Sequence, residues 1–430
     1  MPHKSHCVTC TKTYLFQVID QAIFTGMSSA NGTRTDQVVL VTGASGYVAL
    51  HCVHQLLAAG FTVRGTVRDK SNQKKILPLQ RLADENPNGH LELLEADLLN
   101  SQDWPSVNTS KFLTSTKYGV ITVVRKRNLI EQKHFNTHYD VLNIKAMDGC
   151  SFVLHVASPW PIVADESTVQ TAVEGTMNVL KTAATTSSVK KGDGHRSDSK
   201  VFDERWWTNL DNPRVENYAR SKTMSEQAAW KFWNTLDHNN RFALTVLNPT
   251  FIVGPLLSNV RHGSAIIVGR FMDYRTYLAS PKVSVGIVDV RDVAKAHIEA
   301  LRRPESDGER ILITARSVWF EEMVYWLRKE FVRFGYKISP IVAPNWAVKF
   351  YTLLKVDKHV AAIIHRVGSE VKFDNSKSRK ILGLLYSDPQ SALIKMMHDM
   401  INYGMVRMSA KYKKWKAKEE RRQINMNATS

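Results

Sequence analysis

The chain opens its patterned region with a short continuous apolar run. Residues 37–42, Gln-Val-Val-Leu-Val-Thr, carry the signature of a strand buried on both faces. The segment from His51 to Ala59 has helical character and stops at Gly60, a residue suited to a helix C-cap. Phe61 to Val67 predicts a second strand, and Leu91 to Ala96 a third. Gly149 to His155 reads as a fourth strand, the stretch around Met177–Ala184 as a helix, and Phe242 to Leu247 as a later strand. Strands alternating with helices predict an α/β fold built on a parallel sheet.

Glycine chemistry sharpens this pattern. Gly43-Ala-Ser-Gly46-Tyr-Val-Ala49 lies between the first strand and the first helix. Glycines there let the backbone bend tightly and approach a pyrophosphate, which then meets the helix N-terminus. Strand, glycine turn, helix and strand in succession therefore predict a dinucleotide site. At the end of the second strand, an acid would bond the ribose hydroxyls of NAD, whereas an arginine accommodates the 2′-phosphate of NADP. Arg68 occupies that place, with Lys74 and Lys75 following, so NADP(H) is preferred to NAD(H); the adjacent Asp69 argues the other way. Asp97, after the third strand, either reaches the adenine amino group or caps a helix.

Tyr218-Ala-Arg-Ser-Lys222 supplies the candidate chemistry. Four residues apart on a helix, a phenol and an ammonium share one face. The ammonium favours the phenolate and is expected to lower the tyrosine pKa. A tyrosine tuned in this way can exchange a proton with a carbonyl oxygen.

Composition sets limits. The chain has 430 residues, 43% hydrophobic and 23% charged, as in an ordinary globular protein. No apolar run is long enough to span a bilayer, no secretory signal is evident, and four cysteines suit a reducing, cytoplasmic setting. Cys7 and Cys10 have metal-ligand spacing but lack a second pair, so no metal is expected. The formal charge of +18 invites a nucleic-acid reading. Much of it sits in two segments expected to be peripheral to the fold. Residues 406–430 hold eight basic and two acidic side chains, and residues 108–148 hold seven and three. The former reads either as a solvated basic tail or as a tail that touches acidic membranes or RNA; the distribution argues against a nucleic-acid partner, and none is expected.

Taken in order, Thr42-Gly-Ala-Ser-Gly-Tyr47, Thr66-Val-Arg68, Ala96-Asp-Leu98, His155-Val-Ala-Ser-Pro159 and Tyr218-Ala-Arg-Ser-Lys222 resemble the extended short-chain dehydrogenases/reductases. More narrowly, the chain is similar to the dihydroflavonol 4-reductase, cinnamoyl-CoA reductase and aldehyde reductase group, as Asn248–Pro255 and Val288–Ala294 also indicate. The resemblance implies a Rossmann-type doubly wound parallel sheet with a smaller C-terminal substrate lobe. It implies NADP(H) held by Gly43, Ser45, Gly46, Tyr47, Arg68, Lys75, Asp97, Leu98, Ala157, Ser158, Pro249 and Thr250. It makes Tyr218 the proton donor and Lys222 its partner on the nicotinamide ribose. The substrate would be a small carbonyl or alcohol compound, and the protein a monomer or homodimer. A 3β-hydroxysteroid dehydrogenase-like or sugar-nucleotide activity, or an impaired NADP-binding protein, are the alternatives.

The expected organisation is a disordered extension over 1–35, an NADP-binding domain over 36–250, a substrate lobe over 251–405 that returns to the core, and the tail. Three places depart from the family pattern. Ala49 stands where a third glycine is usual. Residues 108–148 have no counterpart and read either as translated non-coding sequence or as a surface insertion that binds a partner. Finally, a strand ending in a catalytic serine is expected before Tyr218, and about ten residues of it are missing. Ser188 is either that serine, by its position relative to Tyr218, or part of the polar end of the preceding helix. Trp319, Tyr325 and Trp346 read either as lining of an apolar pocket or as ordinary core.

Overall fold

The computed structural model describes residues 37–97, 122–125, 150–156, 201–212, 215–237, 241–260, 262–275, 277–353 and 364–427, with most helical positions between 169 and 180. Cys7, Cys10, Leu98, Ala157, Ser158 and Ser188, and the N-terminal extension, lie outside them.

The core is a seven-stranded sheet. Strands β1 (Val38–Val41), β2 (Thr62–Val67), β3 (His90–Glu95), β4 (Thr122–Arg125), β5 (Phe152–His155), β7 (Ala243–Pro249) and β11 (Arg310–Ile313) run in the order β11-β7-β4-β5-β1-β2-β3. Side chains alternate between its two faces. Val39 and Val41 pack on one face against helices α1 (Tyr47–Ala58) and α2 (Gln73–Asp84). Leu40 packs on the other with Val179, Leu180 and helix α3 (Asn217–Trp233). With helices on both faces the sheet is doubly wound.

Two expectations are corrected here. The sheet is not wholly parallel, because β4 runs antiparallel to both β5 and β7. Moreover, β4 comes from the 108–148 segment expected to be peripheral to the fold. With a parallel strand missing, β5 and β7 need ladder partners for their buried backbone groups. The β-branched run Thr122-Val-Val meets that need, pairing Thr122 with His155 and Val246 and Arg125 with Phe152 and Ala243.

The C-terminal lobe holds a second core. Strand β6 (Val201–Phe202) pairs with β14 (Lys372–Phe373). Strands β8 (Phe251–Val253), β10 (Ser284–Asp289) and β12 (Arg316–Trp319) form a three-stranded sheet, and β9 (Ser280–Pro281) pairs with β13 (Val342–Ala343). Helix α4 (Gly263–Phe271), α6 (Phe320–Phe331) and α9 (Pro389–Asn402) cover this lobe. Between them in sequence, α5 (Val290–Arg302) and α8 (Ser376–Leu382) return to the large sheet, and α7 (Asn345–Leu353) lies outside it.

The basic tail is also corrected. Residues Ala410–Asn427 form helix α10, and its first turns are docked rather than wholly solvated. Tyr412 is 1% exposed, accepts or donates a hydrogen bond with His398 Nδ1 at 2.8 Å, and packs against Phe334 and Trp415. Two aromatic rings three residues apart, Tyr412 and Trp415, anchor the start of a helix that carries most of the tail's charge.

Candidate active site

The glycine turn forms at the end of β1. Gly43 adopts a φ of 60°, a conformation that favours glycine, and its carbonyl accepts from Gly46 N at 2.8 Å. Thr66 fixes the turn from β2: its hydroxyl accepts from Gly43 N at 3.0 Å and its carbonyl from Ala44 N at 2.9 Å. A Cβ on Gly46 would lie 3.2 Å from the Gly43 carbonyl, so the backbone is drawn in tightly before α1 begins. No acidic residue stands in the first turn of α1, leaving its N-terminal amides favourable to an anion. Ala49 is buried, and even a Cβ added to Gly46 would stand 3.9 Å from the Ala49 Cβ, so alanine is accommodated where a third glycine is usual.

The cofactor-selecting end of β2 is resolved by local hydrogen bonds. Arg68 is exposed, with Lys75 half-buried on α2. Asp69 is already engaged: Ser71 donates to its carboxylate through N at 2.8 Å and Oγ at 2.6 Å, which holds the Asp69 pKa below its usual range. The acid that argued for NAD therefore serves as a turn cap. Asp97 is half-buried just past β3. These residues fit a 2′-phosphorylated dinucleotide: a glycine cradle that a side chain would fill, a free helix N-terminus, and an exposed guanidinium at the strand end.

Tyr47 reaches from the glycine turn toward the C-terminal lobe. Its hydroxyl donates to the Gly254 carbonyl at 2.9 Å and its ring stacks on His262 at 3.8 Å. It joins the glycine turn to the C-terminal lobe. Ser45 lies half-buried within the turn.

Tyr218 and Lys222 share a face of α3, with the ammonium 5.4 Å from the ring centroid. Ser221 Oγ donates to the Tyr218 carbonyl at 2.7 Å, bracing the first turn of the helix. The expected fall in the Tyr218 pKa is not found. Burial pushes the phenol up to about 12, opposed by Arg366. Burial likewise pulls Lys222 down to about 8. Loss of hydration disfavours the charged form of each side chain. Pro249 and Thr250 close β7, where Thr250 N donates to Ile313 O at 3.1 Å and its hydroxyl to Thr314 Oγ1 at 3.0 Å.

Two contributors went unnoticed in the sequence. Thr42 and His155 are both fully buried, and Thr42 Oγ1 lies 2.9 Å from His155 Nδ1. His155 Nε2 has no hydrogen-bond partner among the described residues. Burial lowers its pKa to about 3, and the charge of Lys222 adds to that shift. The available signal was the polar residue closing an otherwise apolar strand. Behind α3, the buried Glu226 takes both arms of the Arg310 guanidinium and accepts from Trp230 Nε1 at 3.1 Å, holding the helix to β11.

Trp319 is half-buried below Lys282, but Tyr325 and Trp346 are 62% and 72% exposed, so neither is core or lining of an enclosed pocket. Among the described residues no group of three potential ligands could hold a metal ion.

Comparison with known proteins identifies the family. The model of the NAD dependent epimerase/dehydratase family matches residues 39–109 and 106–314, more than half the chain. A cinnamoyl-CoA reductase of Medicago truncatula is 32% identical over 321 residues, spanning 70% of this chain and 82% of the relative. Tetraketide alpha-pyrone reductase 1 of Arabidopsis thaliana is 30% identical over 305 residues, with 67% and 79% covered. In fold, the chain resembles yeast methylglyoxal/isovaleraldehyde reductase Gre2 complexed with NADPH, with a TM-score of 0.58, 21% identity, and 86% and 99% of the two chains covered.

Proposed function

We propose that this chain, which belongs to the NAD dependent epimerase/dehydratase family, is an NADP(H)-dependent oxidoreductase that reduces an aldehyde or ketone. The observation that carries this reading is the half-buried Tyr218–Lys222 pair on one helix face, in the same molecule as a glycine turn suited to a dinucleotide. When bound, NADPH supplies the hydride. Tyr218, with its pKa raised to about 12 in the free protein, holds its proton at neutral pH and donates it to the carbonyl oxygen. Lys222 stabilises the phenolate that remains. Arg68 and Lys75 select the 2′-phosphate, and the half-buried Asp97 meets the adenine. The protein acts in the cytoplasm as a monomer or homodimer; among the described residues no helix is long and apolar enough to cross a membrane.

A second reading, NADP binding without turnover, is favoured by β4. Being antiparallel, it brings its first residue, Thr122, beside His155 at the end of β5 and beside Val246 of β7, where a parallel strand would bring its last.

Titration of NADPH by fluorescence, followed by an assay of NADPH oxidation with a panel of aldehydes, separates the two. Tyr218→Phe should bind NADPH as before and lose about 10²–10⁴ in turnover. Turnover that survives this change would remove Tyr218 from the mechanism, and binding without any turnover in the unaltered chain would establish the second reading.

A further inference from the structure

The C-terminal lobe carries a groove formed without any residue of the candidate active site. Its volume is about 770 Å³, within the range of small-molecule sites. The floor is apolar and rich in methionine: Ala265 and Ile266 from α4, then Met272, Met400, Met405 and Met408. Methionine side chains are unbranched and polarizable, so such a floor adapts to a flexible apolar chain. Gly269 lets α4 approach the floor; a Cβ there would lie 3.1 Å from Met400 Cε.

The wall is fixed by hydrogen bonds. Tyr336 donates its hydroxyl proton to the Arg407 carbonyl at 3.0 Å and accepts from Ser409 N at 3.3 Å. The Ser409 hydroxyl in turn donates to the Phe334 carbonyl, and α10 is anchored immediately beyond by Tyr412. The groove is therefore held open by an ordered strap.

The rim is cationic. Arg270, Arg275, Lys337 and Arg407 line it against a single acid, Asp273. That carboxylate accepts from Arg275 N at 3.1 Å, closing its own turn. Lys337 Nζ and the Arg275 guanidinium lie 5.4 and 5.9 Å from the Tyr274 ring. The Tyr274 phenol feels both: its pKa is lowered, first by a hydrogen bond from Arg275 and then by Lys337. A neighbouring groove of about 650 Å³, with Leu278, Val332 and Ile341 in its lining, shares Tyr274, Tyr336 and Lys337 with the first. The two apolar surfaces thus meet where the cations converge.

We propose that this groove binds a small anionic amphiphile, its anionic head between Arg275 and Lys337 and its apolar chain over the methionine floor. Charge complementarity chooses the head, because four cations against one engaged acid disfavour a cationic or neutral ligand. The depth and softness of the floor choose the tail. The site is separate from the dinucleotide turn, so occupancy should be independent of the cofactor.

Isothermal titration of the full chain with dodecanoate, below its micelle concentration, tests the proposal. Saturable binding is expected, unchanged when NADPH is present. Arg275→Glu combined with Lys337→Glu should weaken it by about tenfold or more while leaving NADPH affinity unaltered. Dodecanol, which lacks the charge, and acetate, which lacks the chain, should each bind at least about tenfold more weakly. Absence of binding up to about 1 mM overturns the proposal. So does binding that the double variant leaves intact, or that NADPH displaces.

Discussion

Thr42 Oγ1 lies 2.9 Å from His155 Nδ1 and also accepts from Val156 N at 3.2 Å, so one hydroxyl joins the start of the glycine turn to the end of β5. Thr42→Val keeps the shape and removes both bonds. It leaves a buried amide and a buried imidazole nitrogen without partners, a loss of about 2 kcal/mol. Urea unfolding should report that loss, and Thr42→Ser should recover most of it. A valine variant as stable as the parent would show that the hydroxyl carries no such burden.

Gly65, in the middle of β2, faces the turn from below. A Cβ there would stand 2.8 Å from the Ala44 Cβ and 3.1 Å from Leu93 Cδ2. Gly65→Ala is expected to cost about 1–3 kcal/mol through overpacking, and to weaken NADPH binding by displacing the turn. Ala44→Gly in the same chain should restore both properties; failure of this rescue would place the damage elsewhere.

Lys222 couples cofactor binding to pH. With its pKa drawn down to about 8, the ammonium is charged below that value and neutral above it. An anionic dinucleotide stabilises the charged form and raises the pKa in the complex. NADPH affinity should therefore fall as pH rises past about 8, by at most about tenfold per unit. Lys222→Met should flatten this dependence. Equal affinities at pH 7 and pH 9.5 in the unaltered chain would exclude the coupling.

The Glu226–Arg310 pair is nearly dry, with Glu226 4% exposed and the guanidinium stacked 3.7 Å from Trp207. Arg310→Met leaves a buried carboxylate uncompensated and should cost about 3–5 kcal/mol. Replacing both partners, as Glu226→Leu with Arg310→Met, should be much less damaging than the single change. Thermal and urea unfolding of the two variants give the comparison.

Acid should unfold this protein early. His51, His155 and His262 are pulled to about 3 by burial, and His297 to about 4. Their unfolded forms take up protons near pH 6.5 while the folded forms do not, so stability falls as pH drops through that value. Each group contributes about 1.4 kcal/mol per pH unit down to its folded pKa. Asp292, raised to about 6, acts in the opposite sense, since its folded form binds a proton first. Burial also lowers His54 and raises Asp399, so two acids stand against five histidines and leave a net loss, to be seen as a lower urea midpoint at pH 5 than at pH 7.5.

Much of the nucleotide half could be read from local pattern. β1 was expected at 37–42 and spans Val38–Val41; β2 was expected to begin at Phe61 and begins at Thr62. Such strands are buried on both faces, so their residues are apolar without interruption, and the glycines between them mark where the chain must turn. The Tyr218–Lys222 spacing was equally legible, because helical geometry alone puts both on one face. Asp69 was not, since a carboxylate next to a serine two residues on can cap a turn or face a ligand, and the sequence is the same in both cases.

Sequence by itself determined the strand–turn–helix order, the charge at the end of β2 and the pairing of a phenol with an ammonium, all of which depend on neighbours along the chain. Tertiary structure decided what depends on neighbours in space. It placed the anomalous Thr122–Arg125 run in the gap between β5 and β7, because their buried backbone groups required a ladder partner. It turned the Tyr218 pKa upward, because desolvation is a property of the packed site and not of residue spacing. It also brought Thr42 to His155 across 113 positions, a contact that exists only once β1 and β5 lie side by side.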